Sequence, residues 1–176
     1  MNRFVSSLLI ALLVAAVSAN AFAQTLSADE KKIVDYIDRN GGAAISLLEA
    51  SVNIESPTED LGGVRKVGDL YRKELEQLGM KTTWLELPPD LKRAGHLLAE
   101  TGGNRGKRLL LLGHLDTVLR GEPYKLDGTR AFGTGIGDMK GGNLIIIQAL
   151  KALHAVGALK DSRVIVMLTG DEEDTA

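Results

Sequence analysis

The chain has no cysteine, a single tryptophan and no excess of either charge. Without cysteine there are no disulfides, so stability must come from an apolar core or from bound metal. The formal net charge is -2 and residues of both signs are well mixed, so no basic face is offered to a nucleic acid or an anionic membrane. A function that acts on small molecules or peptides is therefore favoured.

Several common catalytic motifs are also missing. There is no Gly-Lys-Ser/Thr phosphate loop and no Gly-x-Ser-x-Gly elbow, so nucleotide hydrolysis and serine catalysis have no support. The run Gly133-Thr134-Gly135-Ile136-Gly137 has Asp138 where the dinucleotide fingerprint needs glycine, which argues against a nicotinamide site. No internal repeat, low-complexity tract or linker divides the chain.

The first 23 residues differ in composition from the rest. Arg3 precedes an apolar stretch over residues 4–17, and Ala21-Phe22-Ala23 supplies a small-x-small ending. This order is typical of a secretory signal peptide; a membrane anchor is the alternative, but the run is shorter than the ~20 apolar residues of a spanning helix. We therefore expect cleavage after Ala23, a mature chain of residues 24–176, and a periplasmic or secreted protein.

Apolar periodicity predicts an α/β domain in the mature chain. Three helices are expected first, one from the Ser27–Glu30 capping box to Asn40-Gly41-Gly42, then two over residues 43–52 and 61–78. Beyond them the pattern predicts a helix over residues 144–156 and four strands, over residues 81–87, 96–100, 108–112 and 163–169. The last two strands are continuous apolar runs, which is typical of strands buried on both faces of a sheet.

Three polar runs lie where such a sheet would place a site. His114 and Asp116 follow the third predicted strand, and Glu172 and Glu173 follow the last one. Asp138 lies in a glycine-rich loop just before a helix, where the backbone can bend tightly. Sites in open α/β sheets form beyond the carboxyl ends of the strands, so we expect these loops to converge.

The residue types in these loops suit a pair of zinc ions. The imidazole of His114 can bind zinc, and Asp116 is placed to accept the other ring N–H. The two oxygens of Asp138 can face different ions, which makes it a natural bridge for metals ~3.5–4 Å apart. Glu172 and Glu173 point in different directions, so that one can bind metal while the other takes a proton from water.

Together with Val52-Asn53-Ile54-Glu55-Ser56-Pro57, these three runs resemble the zinc-dependent exopeptidase family that includes glutamate carboxypeptidase, aminoacylase and succinyl-diaminopimelate desuccinylase. The likeness is strongest to secreted enzymes of the glutamate-carboxypeptidase type. It implies a three-layer α/β/α catalytic domain. It also implies removal of a C-terminal amino acid, of glutamate type, from a peptide or an N-acyl amino acid through water activated by two zinc ions.

The resemblance also implies a role for each site residue. His114 would bind one zinc, Asp138 would bridge both ions, and Glu173 would bind the other. Glu172 would be the general base and Asp116 the catalytic-site aspartate that supports His114. Members of the family often have a cis peptide after the residue that matches Asp138.

Family members are more than twice as long as this chain, and they supply two further metal ligands downstream, a carboxylate and a histidine. They also insert a smaller domain, used for dimer contacts and for holding the substrate carboxylate, so a homodimer is implied for the full-length protein. We therefore expect this chain to be the N-terminal half of such a catalytic domain, with little activity alone. Two alternatives stay open: a non-catalytic metal-binding module that retains a half site, and an unrelated α/β binding domain.

Overall fold

A computed structural model describes residues 25–174, so the predicted signal peptide lies outside the described residues. Residues 32–174 belong to one structural unit, and residues 25–31, which belong to another, are described by themselves. No helix within residues 25–174 is both long and apolar enough to span a bilayer. In chain order the elements are α1 (Ala28–Val52), α2 (Leu61–Glu76), β1 (Lys81–Leu85), β2 (His96–Glu100), β3 (Arg105–His114), β4 (Lys125–Asp127), β5 (Arg130–Phe132), α3 (Gly141–Ala155) and β6 (Ser162–Thr169).

The predicted capping box is present at the start of α1. The amide of Glu30 donates to the Ser27 hydroxyl at 3.3 Å, and the Glu30 carboxylate accepts from the Ser27 amide at 2.7 Å. These reciprocal bonds satisfy two amides that have no partner within the first turn of a helix.

The prediction that Asn40-Gly41-Gly42 ends this helix is wrong. One helix of 25 residues continues through both glycines to Val52. Neither Gly41 nor Gly42 has the positive φ of a helix-ending glycine. A glycine inside a helix costs about 1 kcal/mol, whereas each large apolar side chain buried beyond it gains about 1.5–3 kcal/mol. Leu47, Leu48 and Val52 are buried, so their packing outweighs the glycine penalty.

The four predicted strands form one mixed sheet in the order β1-β2-β6-β3. β1 pairs with β2, and β2 with β6, in antiparallel orientation, whereas β3 and β6 are parallel. In that parallel pair His114 lies opposite Thr169, so the chain leaves β3 and β6 side by side at one edge. A separate hairpin of β4 and β5, which the sequence pattern did not indicate, lies between β3 and α3 in the chain.

One face of the sheet is covered by helices. α2 contacts β1 and β2, α3 contacts β3, and the two helices contact each other. Lys151 of α3 and Glu74 of α2 form an ion pair across their contact. The most deeply buried apolar side chains here come from both helices and from β2 and β6, namely Val64, Val67, Tyr71, Leu75, Leu97, Ala99, Ile147, Leu150, Val166 and Leu168.

The opposite face of the sheet is less covered, and the prediction that β3 is buried on both faces is wrong. β3 is the edge strand, and its Leu110 and Leu112 are 55% and 59% exposed. Their register partners on β6, Ile165 and Met167, are half-buried. The α/β class is confirmed; of the predicted three layers, the described residues form the sheet and the helices on one face. An apolar run therefore identified the strand but not its place in the sheet.

The glycines of α1 provide a test of its continuity. A methyl group added at Gly41 or Gly42 would have no atom within 4 Å. We expect Gly41→Ala and Gly42→Ala each to raise the free energy of unfolding by about 1 kcal/mol in urea titrations. Gly79→Ala is the matched control: its methyl group also meets nothing, but φ is +76°, so we expect a loss of about 1–2 kcal/mol. A helix broken at Gly41 would show no gain in either variant.

Candidate metal centre

His114 is the last residue of β3 and is almost fully buried. Its Nδ1 lies 3.1 Å from the backbone oxygen of Asp116, and its Nε2 lies 3.0 Å from Asp138 Oδ1. The Asn143 side chain donates to the His114 carbonyl at 2.6 Å and so fixes the backbone at this point. With Nδ1 donating to Asp116, Nε2 is the ring atom left to bind a metal.

Asp116 is fully enclosed at the site, with no exposed surface. Its carboxylate accepts hydrogen bonds from the Thr58 hydroxyl at 2.7 Å and from the amides of Glu172 at 3.2 Å and Glu173 at 3.0 Å. His114 Nδ1 lies 3.4 Å away. Burial alone would raise the pKa of Asp116, but its interaction with His114 and the hydrogen bonds from Thr58 and the Glu173 amide outweigh burial and hold the pKa below its ordinary value.

Asp138 is placed by a tight turn ahead of α3. Gly135 takes the left-handed conformation, with φ of +77°, and the turn Ile136–Lys140 follows it. The peptide bond between Asp138 and Met139 is cis, as the family resemblance implied. The Asp138 side chain is 77% exposed, so its carboxylate is open to solvent and to a cation.

The predicted convergence of the three loops is confirmed. One ligand atom each from His114, Asp138 and Glu173 lies within 4.8 Å of the others, at the ends of separate elements. An imidazole nitrogen with two carboxylate oxygens is a donor set that zinc accepts. Glu172 stands beside them, with Oε2 3.9 Å from His114 Nε2 and its side chain 58% exposed. The separate roles of these residues stay predictions.

Two pKa values in the site are raised above their ordinary values. Burial lowers the pKa of His114, but hydrogen bonds to Asp116 and Asp138 outweigh it and raise the pKa to about 9. Burial raises the pKa of Glu173, and the negative charge of Asp138 raises it further. The metal-free site therefore retains a proton among closely spaced acidic groups, which is the environment that a divalent cation would neutralise.

Sequence reasoning missed three residues that support the site. Thr58 donates to Asp116, and Asn143 donates to the His114 carbonyl. The Lys140 ammonium is buried and donates to the Ile54 carbonyl at 2.7 Å; burial lowers its pKa to about 8, and the charge of Glu55 opposes that shift. Each lies close in sequence to a motif: Thr58 directly follows the run Val52–Pro57, and Lys140 and Asn143 lie two and five residues after Asp138.

Known proteins are similar to this chain in both sequence and fold. Residues 110–176 match the model of peptidase family M20/M25/M40. The chain is 34% identical over 168 residues to Carboxypeptidase G2 of Pseudomonas sp. (strain RS-16), an alignment that covers 91% of this chain and 40% of that protein. It is 32% identical over 139 residues to Succinyl-diaminopimelate desuccinylase of Gluconobacter oxydans (strain 621H), covering 75% of this chain and 35% of that protein.

The fold is also similar to part of a peptidase whose structure has been solved. Human carnosine dipeptidase 1 superposes with a TM-score of 0.74 at 22% identity, over 85% of this chain and 36% of that structure. The chain therefore spans 40% or less of the length of these relatives. The resemblance inferred from the three motifs is confirmed: residues 110–176 match the model of peptidase family M20/M25/M40, and the chain is similar in sequence and fold to part of each of these relatives.

Proposed function

We propose that this chain carries half of the dizinc site of a metallo-exopeptidase that removes a C-terminal amino acid, of glutamate type, from a peptide or an N-acyl amino acid. The observation that carries the proposal is the convergence of His114, Asp138 and Glu173 within 4.8 Å. The similarity to a carboxypeptidase supports the reaction class. The match of residues 110–176 to a peptidase family model supports the broader class, hydrolysis of an amide.

The residues of the site suit the steps of such a reaction. Zinc bound here would acidify water and polarise the carbonyl of the scissile amide. Glu172, exposed beside the ligands and not needed to hold the cluster together, is free to accept the proton from water and pass it to the leaving amine. Asp116 keeps His114 in place through its backbone oxygen and the Glu172–Glu173 turn in place through its carboxylate.

The ligand count limits what residues 25–174 do alone. Within this part of the chain, His114, Asp138 and Glu173 would give each ion two protein ligands if Asp138 served both. A catalytic zinc ordinarily has three protein ligands, so we propose weak zinc binding and little turnover for these residues by themselves. The same count keeps the alternative of a non-catalytic metal-binding module as a second outcome of the experiments.

Zinc titration of ligand variants tests the proposed site. We expect His114→Ala, Asp138→Ala and Glu173→Gln each to weaken zinc binding more than about 10-fold, because each removes a ligand. Glu172→Gln should bind zinc as the unchanged protein does, since we assign it no ligand role. His154→Ala, an exposed histidine on α3, is the control for His114→Ala. If all five variants bound zinc as tightly as the unchanged protein, the proposed site would be contradicted.

The raised pKa of His114 gives zinc binding a defined pH dependence. Below about pH 9 the imidazole carries a proton that zinc must displace, so zinc affinity should rise with pH and level off above that value. Calorimetric titrations at about pH 7, in two buffers with different ionisation enthalpies, should show a proton released per zinc bound. Zinc binding at that pH without proton release would contradict the protonated state of His114.

Turnover distinguishes an exopeptidase from a metal-binding module. The full-length gene product, expressed in its natural host and supplied with zinc, should release glutamate from N-acylglutamate, whereas residues 25–174 alone should show little turnover. Glu172→Gln should lower kcat by about 10²- to 10⁴-fold, the usual contribution of a general base, without weakening zinc binding. Glu86→Gln, which changes an exposed glutamate that pairs with Arg65, is the control and should keep full activity. Zinc binding with no hydrolysis of any acylated amino acid would favour the module.

A further inference from the structure

The segment after α1, residues 53–58, contacts the loops of the site at three points, although none of its residues is a proposed metal ligand. The Lys140 ammonium donates to the Ile54 carbonyl at 2.7 Å, and the Thr117 amide donates to the Ser56 carbonyl at 2.9 Å. Lys140 lies two residues after Asp138, and Thr117 lies three residues after His114. The segment is therefore attached to two of the loops that carry the proposed ligands.

The third contact is a side-chain hydrogen bond to Asp116. Thr58 is 3% exposed, and its hydroxyl donates to Asp116 Oδ2 at 2.7 Å across 58 residues of sequence. The same oxygen accepts the Glu173 amide, and Oδ1 accepts the Glu172 amide. Because Asp116 has no exposed surface, water cannot replace the hydroxyl if it is removed.

We propose that Thr58 is a positioning residue for the metal centre, acting through Asp116. Its hydroxyl fixes the rotation of the Asp116 carboxylate, and that carboxylate in turn holds His114 and the turn that carries Glu172 and Glu173. Without the hydroxyl, the carboxylate can rotate toward its remaining donors and shift both loops. The proposal rests on the proposed function, because it concerns the same metal ligands.

The test compares Thr58→Val, which keeps the shape of the side chain, with Thr58→Ser, which keeps the hydroxyl. Thr101→Val is the matched control, since the Thr101 hydroxyl donates to the Ser162 carbonyl at 2.6 Å at the other end of β6. Cobalt(II) binding is followed by its visible absorption. Hydrogen exchange by NMR is followed at the amides of Glu172 and Glu173 in the metal-free protein.

We expect Thr58→Val to bind cobalt about 10-fold more weakly, with an altered visible band, and to lose protection at both amides. Thr58→Ser should restore the spectrum, the affinity and the protection. Thr101→Val should lower stability yet match the unchanged protein in all three. Unchanged cobalt binding and amide protection in Thr58→Val, or equal losses in Thr101→Val, would overturn the proposal.

Two further outcomes separate this proposal from the proposed function. If the unchanged protein binds no cobalt, the metal centre itself fails, and amide exchange alone decides the role of Thr58. If Thr58→Val lacks native circular dichroism, Thr58→Ala removes the hydroxyl without adding a methyl group to the pocket. Loss of the fold in both variants would overturn the proposal, because the hydroxyl would then serve folding in general.

Discussion

The buried carboxylate of Asp116 is the interaction on which the site depends. It accepts one side-chain and two backbone hydrogen bonds and lies against the His114 ring, with no contact with solvent. A buried charge is tolerated only where such donors surround it. The donors come from the segment after α1 and from the turn after β6, so one side chain ties distant parts of the chain to the end of β3. Loss of any donor would leave the charge less compensated and the loops less fixed.

The parallel pairing of β3 and β6 makes this arrangement possible. Because His114 lies opposite Thr169, the residues that follow each strand emerge side by side. Gly113 permits a further close approach, since a methyl group there would lie 2.2 Å from Asn143 Oδ1. The sheet register and the tight packing of α3 thus set the separation of the loops before any metal binds.

The sequence was informative about the site, because the site depends on which residues directly follow each strand. The polar runs after two strands and in a glycine-rich loop predicted which residues would meet, because parallel strand ends share an edge. It was uninformative about the features that packing determines, namely where a helix ends and which strand lies at the edge of the sheet. The glycines of α1 look like a helix end, and the apolar run of β3 looks like a central strand, because local composition does not report which neighbours cover a segment. Thr58 could not be foreseen, since its partner lies 58 residues away and a threonine after a proline is common in turns.

The acidic cluster and the general-base candidate at its rim support the proposed exopeptidase function. Both depend on Asp116, which is not itself a proposed metal ligand. The most direct test is the zinc affinity of the Asp116→Asn variant, in which the side chain keeps its shape but loses the charge that its donors surround. We expect zinc binding about 10- to 100-fold weaker than in the unchanged protein, although no ligand has been altered. Zinc affinity equal to that of the unchanged protein would contradict the central role of the buried carboxylate.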